Sequence, residues 1–154
     1  MTPKSLLRHK HCVSSVEDFT KDHFHAILDD KEAPKKADRI IFCSGKVFYD
    51  LTAYREEKKI KNTAIVRLEQ LYPLDKDTLA AIIKKYSQAK HFVWCQEEPK
   101  NMGAWSHIAP ELSELLGKGT LSYVGRKPSA SPATGVLTVH KKEQATIVEN
   151  AFTK

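Results

Sequence analysis

"FVWCQEEPKNMGAW", residues 92–105, holds the fold in miniature. Phe92, Val93, Trp94 and Cys95 are strand formers in an unbroken run. Gln96, Glu97 and Glu98 end that run in polar and charged groups, and Pro99 with "KNMG" supplies a turn. Beyond it, "GAWSHIAPELSELLG" has helical spacing and stops at Gly117; Pro110 either kinks this helix or marks a later start. The strand is apolar at successive positions, so it is read as buried on both faces. That is the pattern of a parallel sheet covered by helices.

The same strand-then-helix unit recurs on either side. "RIIFCSG" (39–45) is followed by "KVFYDLTAYREEKKI", with Val47, Leu51 and Tyr54 on one helical face. "TAIVRLE" (63–69) is followed by "YPLDKDTLAAIIKKY", with Asp75 as the expected N-cap and Leu79, Ile82, Ile83 and Tyr86 inward. "LSYVGR" (121–126) leads through the loop "KPSASPATG" to "VHKKEQATIVENAF", with Ile147, Val148, Ala151 and Phe152 inward. Strands alternating with helices in units of about thirty residues predict βαβ crossovers. Their right-handedness places helices on both faces. "HFHAILDD" (23–30) alternates well enough for an edge strand, and "SSVEDF" carries a capping-type serine for one short helical turn. Residues 1–22 are read as an arm and 23–154 as one domain, a three-layer α/β/α sandwich.

Composition narrows the function. A chain of 154 residues with 41% hydrophobic residues is enough for one domain with a sizeable core. No apolar run approaches the ~20 residues of a membrane span, and "MTPKSLLRHKHC" lacks the apolar core of a secretory leader. Three cysteines without close spacing argue against a disulfide framework and for a reducing compartment. The net charge of +6 comes from basic clusters interleaved with acids. These read as solvated faces, with no aromatic platform left over for nucleic acid. His9, His11 and Cys12 are metal-capable but lack a second ligand cluster, so a basic arm is the preferred reading.

In an open parallel sheet, ligands and partners gather at the carboxyl ends of the strands. The candidate contact residues are therefore Ser44, Gly45 and Lys46; Glu69 and Gln70; Glu97 and Glu98 with Asn101 and Trp105 beyond them; and Arg126 and Lys127. "CSGKVFYD" matches no nucleotide-binding glycine pattern, so Gly45 is read as serving a tight strand-to-helix turn. Glu97 and Glu98, adjacent on a strand, point to opposite faces and do not converge as an acid/base pair. One of them is expected to accept hydrogen bonds from the "NMG" turn or a basic neighbour. Trp105 is read as a core or contact anchor. No catalytic, cofactor-binding or metal-ligating set is assigned.

Taken together, "PKSLLRH", "CSGKVFYDL", "AIVRLEQLYPL", "FVWCQEEPKNMGAW" and "GRKPSASPATG" resemble one family in the same order along the chain. It is the C-terminal domain of the thiamin-diphosphate-dependent 2-oxoglutarate dehydrogenase, the decarboxylating first component of a multienzyme complex. The resemblance implies a transketolase C-terminal-type fold whose five-stranded sheet has one antiparallel edge strand, for which "HFHAILDD" is the candidate. It implies that the full-length enzyme uses thiamin diphosphate and Mg²⁺ and passes a succinyl group to the lipoyl arm of a dihydrolipoyl succinyltransferase. 2-Oxoglutarate and a close homologue such as 2-oxoadipate both stand as substrates at this point. The family's pyrophosphate-binding Gly-Asp-Gly is missing here, and its activating glutamate and substrate histidines lie upstream. The chain is therefore expected to be an inactive piece of a longer polypeptide. It would pack against the other domains and a second copy in a homodimer, in the bacterial cytoplasm or the mitochondrial matrix. The alternative is a small-ligand module in which Lys46, Arg126 and Lys127 meet the phosphates of a nucleotide or acyl-CoA.

Overall fold

The computed structural model describes residues 3–20, 23–34, 36–117 and 120–153. The boundary expected after residue 22 falls at Lys21 and Asp22, outside the described residues. A turn of 3-10 helix, Lys4–Leu6, and the short helix α1, Val16–Thr20, form the arm. Ser15 and Asp18 cap α1 reciprocally: each backbone N–H donates to the other's side chain, at 2.8 and 3.3 Å.

Five strands follow: β1 (Ile27–Leu28), β2 (Arg39–Cys43), β3 (Thr63–Leu68), β4 (His91–Pro99) and β5 (Leu121–Arg126). They form one sheet in the order β1-β3-β2-β4-β5. Only the β1–β3 pairing is antiparallel; the registers Ile41↔Ile65, Ile41↔Val93 and Trp94↔Tyr123 fix the parallel part. The helices α2 (Val47–Glu57), α3 (Lys76–Lys85), α4 (Trp105–Leu116) and α5 (Leu137–Thr153) complete the two outer layers. The three-layer open α/β sandwich read from the sequence is the observed architecture.

Alternation along the strands sorts the core into two faces. Ile40, Phe42, Val66 and Trp94 meet Leu79 and Ile82 of α3 and Ile108 and Leu112 of α4. Ile41, Cys43, Ile65, Val93 and Cys95 meet Val47 and Leu51 of α2 and Ile147, Val148 and Ala151 of α5. Asp75 caps α3, its carboxylate accepting the Thr78 N–H at 3.0 Å. Pro110 lies inside α4 without ending it. Cys43 and Cys95 are fully buried; burial pushes the Cys43 thiol well up and that of Cys95 up to about 12, which leaves both as inert apolar fillers.

The edge strand is much shorter than the eight residues expected of it, and Asp30 is the reason. A longer β1 would bring backbone to the Ile65 N–H. Instead the Asp30 carboxylate accepts that N–H at 2.8 Å. The same carboxylate forms an ion pair with Arg55 of α2, which also donates to the Thr63 carbonyl at 3.3 Å. Both side chains are more than nine-tenths buried. The buried inner face of α2 therefore ends in Arg55, while Tyr54 packs at the margin of the core.

Removing one partner from such a pair leaves the other charge uncompensated, which costs roughly 3–5 kcal/mol. Glu32, exposed and 3.5 Å from Arg55, offsets part of this. Asp30→Ala is expected to lower the urea-unfolding free energy by about 3 kcal/mol. A loss under about 1 kcal/mol, the range of an exposed pair, would contradict this account.

Candidate functional site: the carboxyl rim of the sheet

The four parallel strands deliver the sequence-selected residues to one rim. At β2 the chain turns into α2 through Ser44, Gly45 and Lys46, with Gly45 at a φ of +66°. The Gly45 amide donates to Glu69 Oε1 at 3.2 Å, so a carboxylate of the protein itself sits where an outside anion would dock. Lys46 bridges two carboxylates, Glu97 at 2.8 Å and Asp50 at 3.0 Å. Burial works against its charge, but the hydrogen bonds to Glu97 and Asp50 outweigh burial and hold its pKa above the ordinary value. Glu97 thus answers a basic neighbour on the α2–α5 side, while Glu98 is exposed; its backbone carbonyl accepts from the Tyr123 hydroxyl at 3.1 Å.

Arg126, at the end of β5, pairs with Glu143 at 3.0 Å, and its guanidinium donates to His140 Nδ1 at 2.8 Å, both on α5. Lys127 beside it is exposed. Gln70 donates to the Pro73 carbonyl at 2.9 Å, which folds back the segment after β3. His107 of α4 meets the Leu71 carbonyl at 3.1 Å and holds that segment against the neighbouring layer. Two of the three cations expected to meet phosphate are therefore already paired within the domain.

The organising residue of the rim is Gln96, named in the sequence only as part of a strand end. It is 4% exposed and every polar atom of its amide is used. Its Oε1 accepts from the Trp94 indole at 2.9 Å and from the Trp105 backbone N–H at 3.0 Å. Its Nε2 donates to the carbonyls of Met102 at 2.8 Å and Pro99 at 3.2 Å. The amide, rather than either glutamate, thus holds the "NMG" turn and fixes the first turn of α4. The turn in turn holds the next loop: Asn101 and Ser129 exchange two hydrogen bonds of 3.0 Å each. Trp105 is half-buried against Tyr123, ring centroids 5.0 Å apart, with the Lys100 ammonium 6.0 Å from its ring. The single Tyr123 hydroxyl proton is shared between the Glu98 and Arg126 carbonyls, at 3.1 and 3.0 Å, and burial pushes the phenol up to about 12.

The signal available in the sequence is an amide at the end of the apolar run, two residues after Trp94 and at the junction of strand and turn. Gly103 is a second one. It has a φ of +67°, and a Cβ there would lie 3.0 Å from both Gln96 Nε2 and Glu98 Cβ. Gly45 has the same backbone conformation but open space around it. Both Gly→Ala changes incur the left-handed backbone cost of about 1–2 kcal/mol. Only Gly103→Ala also displaces the Gln96 amide, so it is expected to be the more destabilising of the two by at least about 1 kcal/mol in urea unfolding. Equal losses, or a larger loss for Gly45→Ala, would contradict the role given to Gln96.

Residues 13–152 match the family described as 2-oxoglutarate dehydrogenase C-terminal. The chain is 46% identical over 157 residues to the 2-oxoglutarate dehydrogenase E1 component of Cupriavidus necator, covering 100% of this chain and 16% of that protein. It is 48% identical to that of Rickettsia prowazekii, covering 99% of this chain and 17% of the relative. The Azotobacter vinelandii protein of the same name is 43% identical, again over 99% and 17%. The chain thus spans about a sixth of the length of the relatives it matches. Among the described residues, no helix is long and apolar enough to cross a membrane. By this match over nearly its whole length, the chain belongs to the 2-oxoglutarate dehydrogenase C-terminal family.

Proposed function

We propose that this chain is the C-terminal assembly domain of a 2-oxoglutarate dehydrogenase E1 component. In the complete enzyme, 2-oxoglutarate is decarboxylated on thiamin diphosphate and the succinyl group is handed to the lipoyl group of a partner succinyltransferase. The observation that carries this reading is end-to-end similarity to proteins of that name, of which the chain matches only 16–17%. The task left to this region is to pack against the domains that hold the cofactor and to support the homodimer.

The rim chemistry supports that division of labour. Thiamin diphosphate needs a pyrophosphate site and oxygen ligands for Mg²⁺. Here the Gly45 amide is taken by Glu69, and Lys46 draws both Glu97 and Asp50. Arg126 is paired with Glu143. These residues do not fit the cofactor. The same neutralised cations weigh against a nucleotide or acyl-CoA site built on Lys46 and Arg126.

The test uses the full-length dehydrogenase that carries this region and the chain by itself. With 2-oxoglutarate, thiamin diphosphate and Mg²⁺, the full-length enzyme is expected to release CO₂, and the 154-residue chain none. Removing the region is expected to abolish stable dimers in analytical ultracentrifugation. Turnover by the chain alone, or a truncated enzyme that stays dimeric and fully active, would overturn the assignment.

A further inference from the structure

The two ends of the sheet treat their cations differently. At the carboxyl end Lys46 and Arg126 each have a carboxylate partner within the domain. At the amino end the loops that enter β2, β3 and β4 are laced together through their backbones. The Asp38 and Arg39 N–H groups donate to the Asn62 carbonyl at 2.9 and 3.3 Å, and those of Lys90 and His91 donate to the Asp38 carbonyl at 2.7 and 3.1 Å. The lacing brings Lys36, Lys61 and Lys90, one from each loop, to the same end of the molecule. All three are exposed, and none forms an ion pair with a described carboxylate. Lys36 and Lys90 line one hollow of about 440 Å³, in which Asp38 is the single carboxylate among the described residues.

Helix ends and internal pairing account for other lysines at this end, but not for these. Lys84 and Lys85 close α3, where a cation complements the helix C-terminus, and Lys85 also pairs with Asp29. Lys58, at the end of α2, pairs with Glu57. Lys36, Lys61 and Lys90 lie outside every helix. Two acids nearby are engaged elsewhere: the Asp38 carboxylate accepts from the Asn62 side chain at 3.1 Å, and Glu32 lies 3.5 Å from Arg55. Three cations carried on a laced edge, without an internal counter-charge of their own, project a positive potential into solvent.

We propose that this lysine face is a docking surface for a protein partner whose own surface is rich in Asp and Glu. Two features select a protein over a nucleic acid. The loops 31–38, 58–62 and 86–90 contain no arginine, whose planar fork would clamp a phosphate. They also hold no exposed aromatic ring among the described residues, so a base has nothing to stack on. Lysine ammonium groups keep their water and act as point charges. The contact is therefore a fast, salt-sensitive encounter that steers the partner in.

Fluorescence anisotropy with a labelled poly-L-glutamate peptide tests this on the full-length dehydrogenase that carries this region. One variant reverses the face, with Lys36→Glu, Lys61→Glu and Lys90→Glu together. A control of the same net charge reverses Lys127, Lys141 and Lys142, which are exposed elsewhere on the domain. At low ionic strength the first variant is expected to bind the peptide about tenfold more weakly than the wild type, and the control within about twofold of it. The milder Lys→Gln triple change at the face is expected to lose about threefold, which keeps the result readable if charge reversal lowers the melting temperature. Equal weakening in the face variant and the control would reduce the effect to net charge and overturn the proposal, as would unchanged binding in the face variants. A DNA duplex of equal charge that binds more tightly than the peptide, and is lost in the same variants, would assign the face to nucleic acid and overturn it as well. Turnover of 2-oxoglutarate is expected to be unchanged throughout, so failure here is distinct from failure of the assembly role.

Discussion

One buried amide sets the geometry of everything at the carboxyl end of the sheet. Gln96 stands where β4 leaves the core, and burying an amide there without partners would cost about 1–3 kcal/mol for each group left unpaired. The cost is avoided because the Trp94 indole, the Trp105 amide and the carbonyls of Pro99 and Met102 all converge on it. The requirement works in both directions. The turn closes as it does because Gln96 needs acceptors, and α4 begins at Trp105 because the amide oxygen takes up an N–H that helix geometry leaves unpaired. Asn101 carries the constraint one loop further, to Ser129.

At the other end of the strands, a second buried polar cluster has the opposite effect. Asp30 and Arg55 close the sheet edge and tie α2 to the start of β3. That cluster is finished by internal partners. At the carboxyl end Lys46, Glu97, Glu69 and Arg126 each have a partner within the domain, while Lys127 and apolar side chains such as Tyr72 and Leu137 stay exposed. A rim where two of the three candidate cations are already paired and apolar side chains stand bare is suited to a protein neighbour more than to a phosphate ligand.

The layers, the parallel strands and the helix faces were legible in the sequence because periodicity reports which face a residue occupies. The burial of Ile40, Phe42 and Trp94 follows from unbroken apolar runs, and the antiparallel edge was implied by the family resemblance rather than by pattern. Partnership was not legible. Gln96 binds Trp105 nine residues away, and Asp30 binds the Ile65 amide across thirty-five. No local pattern encodes such pairings, so the sequence shows neither the shortness of β1 nor the burial of Arg55 against Asp30. Lys46 and Arg126 show the same limit: a sequence displays their charge, but only the fold reveals which carboxylates have already claimed it.

Gln96 holds the rim as a prebuilt surface. Hydrogen exchange of two protons, the Trp94 indole N–H and the Trp105 backbone N–H, followed by NMR, tests it most directly. Both are expected to exchange only through global unfolding, at the slow limit shared by the central strands. Exchange of either at the rate of a solvent-exposed group, while the β2 and β3 amides remain protected, would contradict the account.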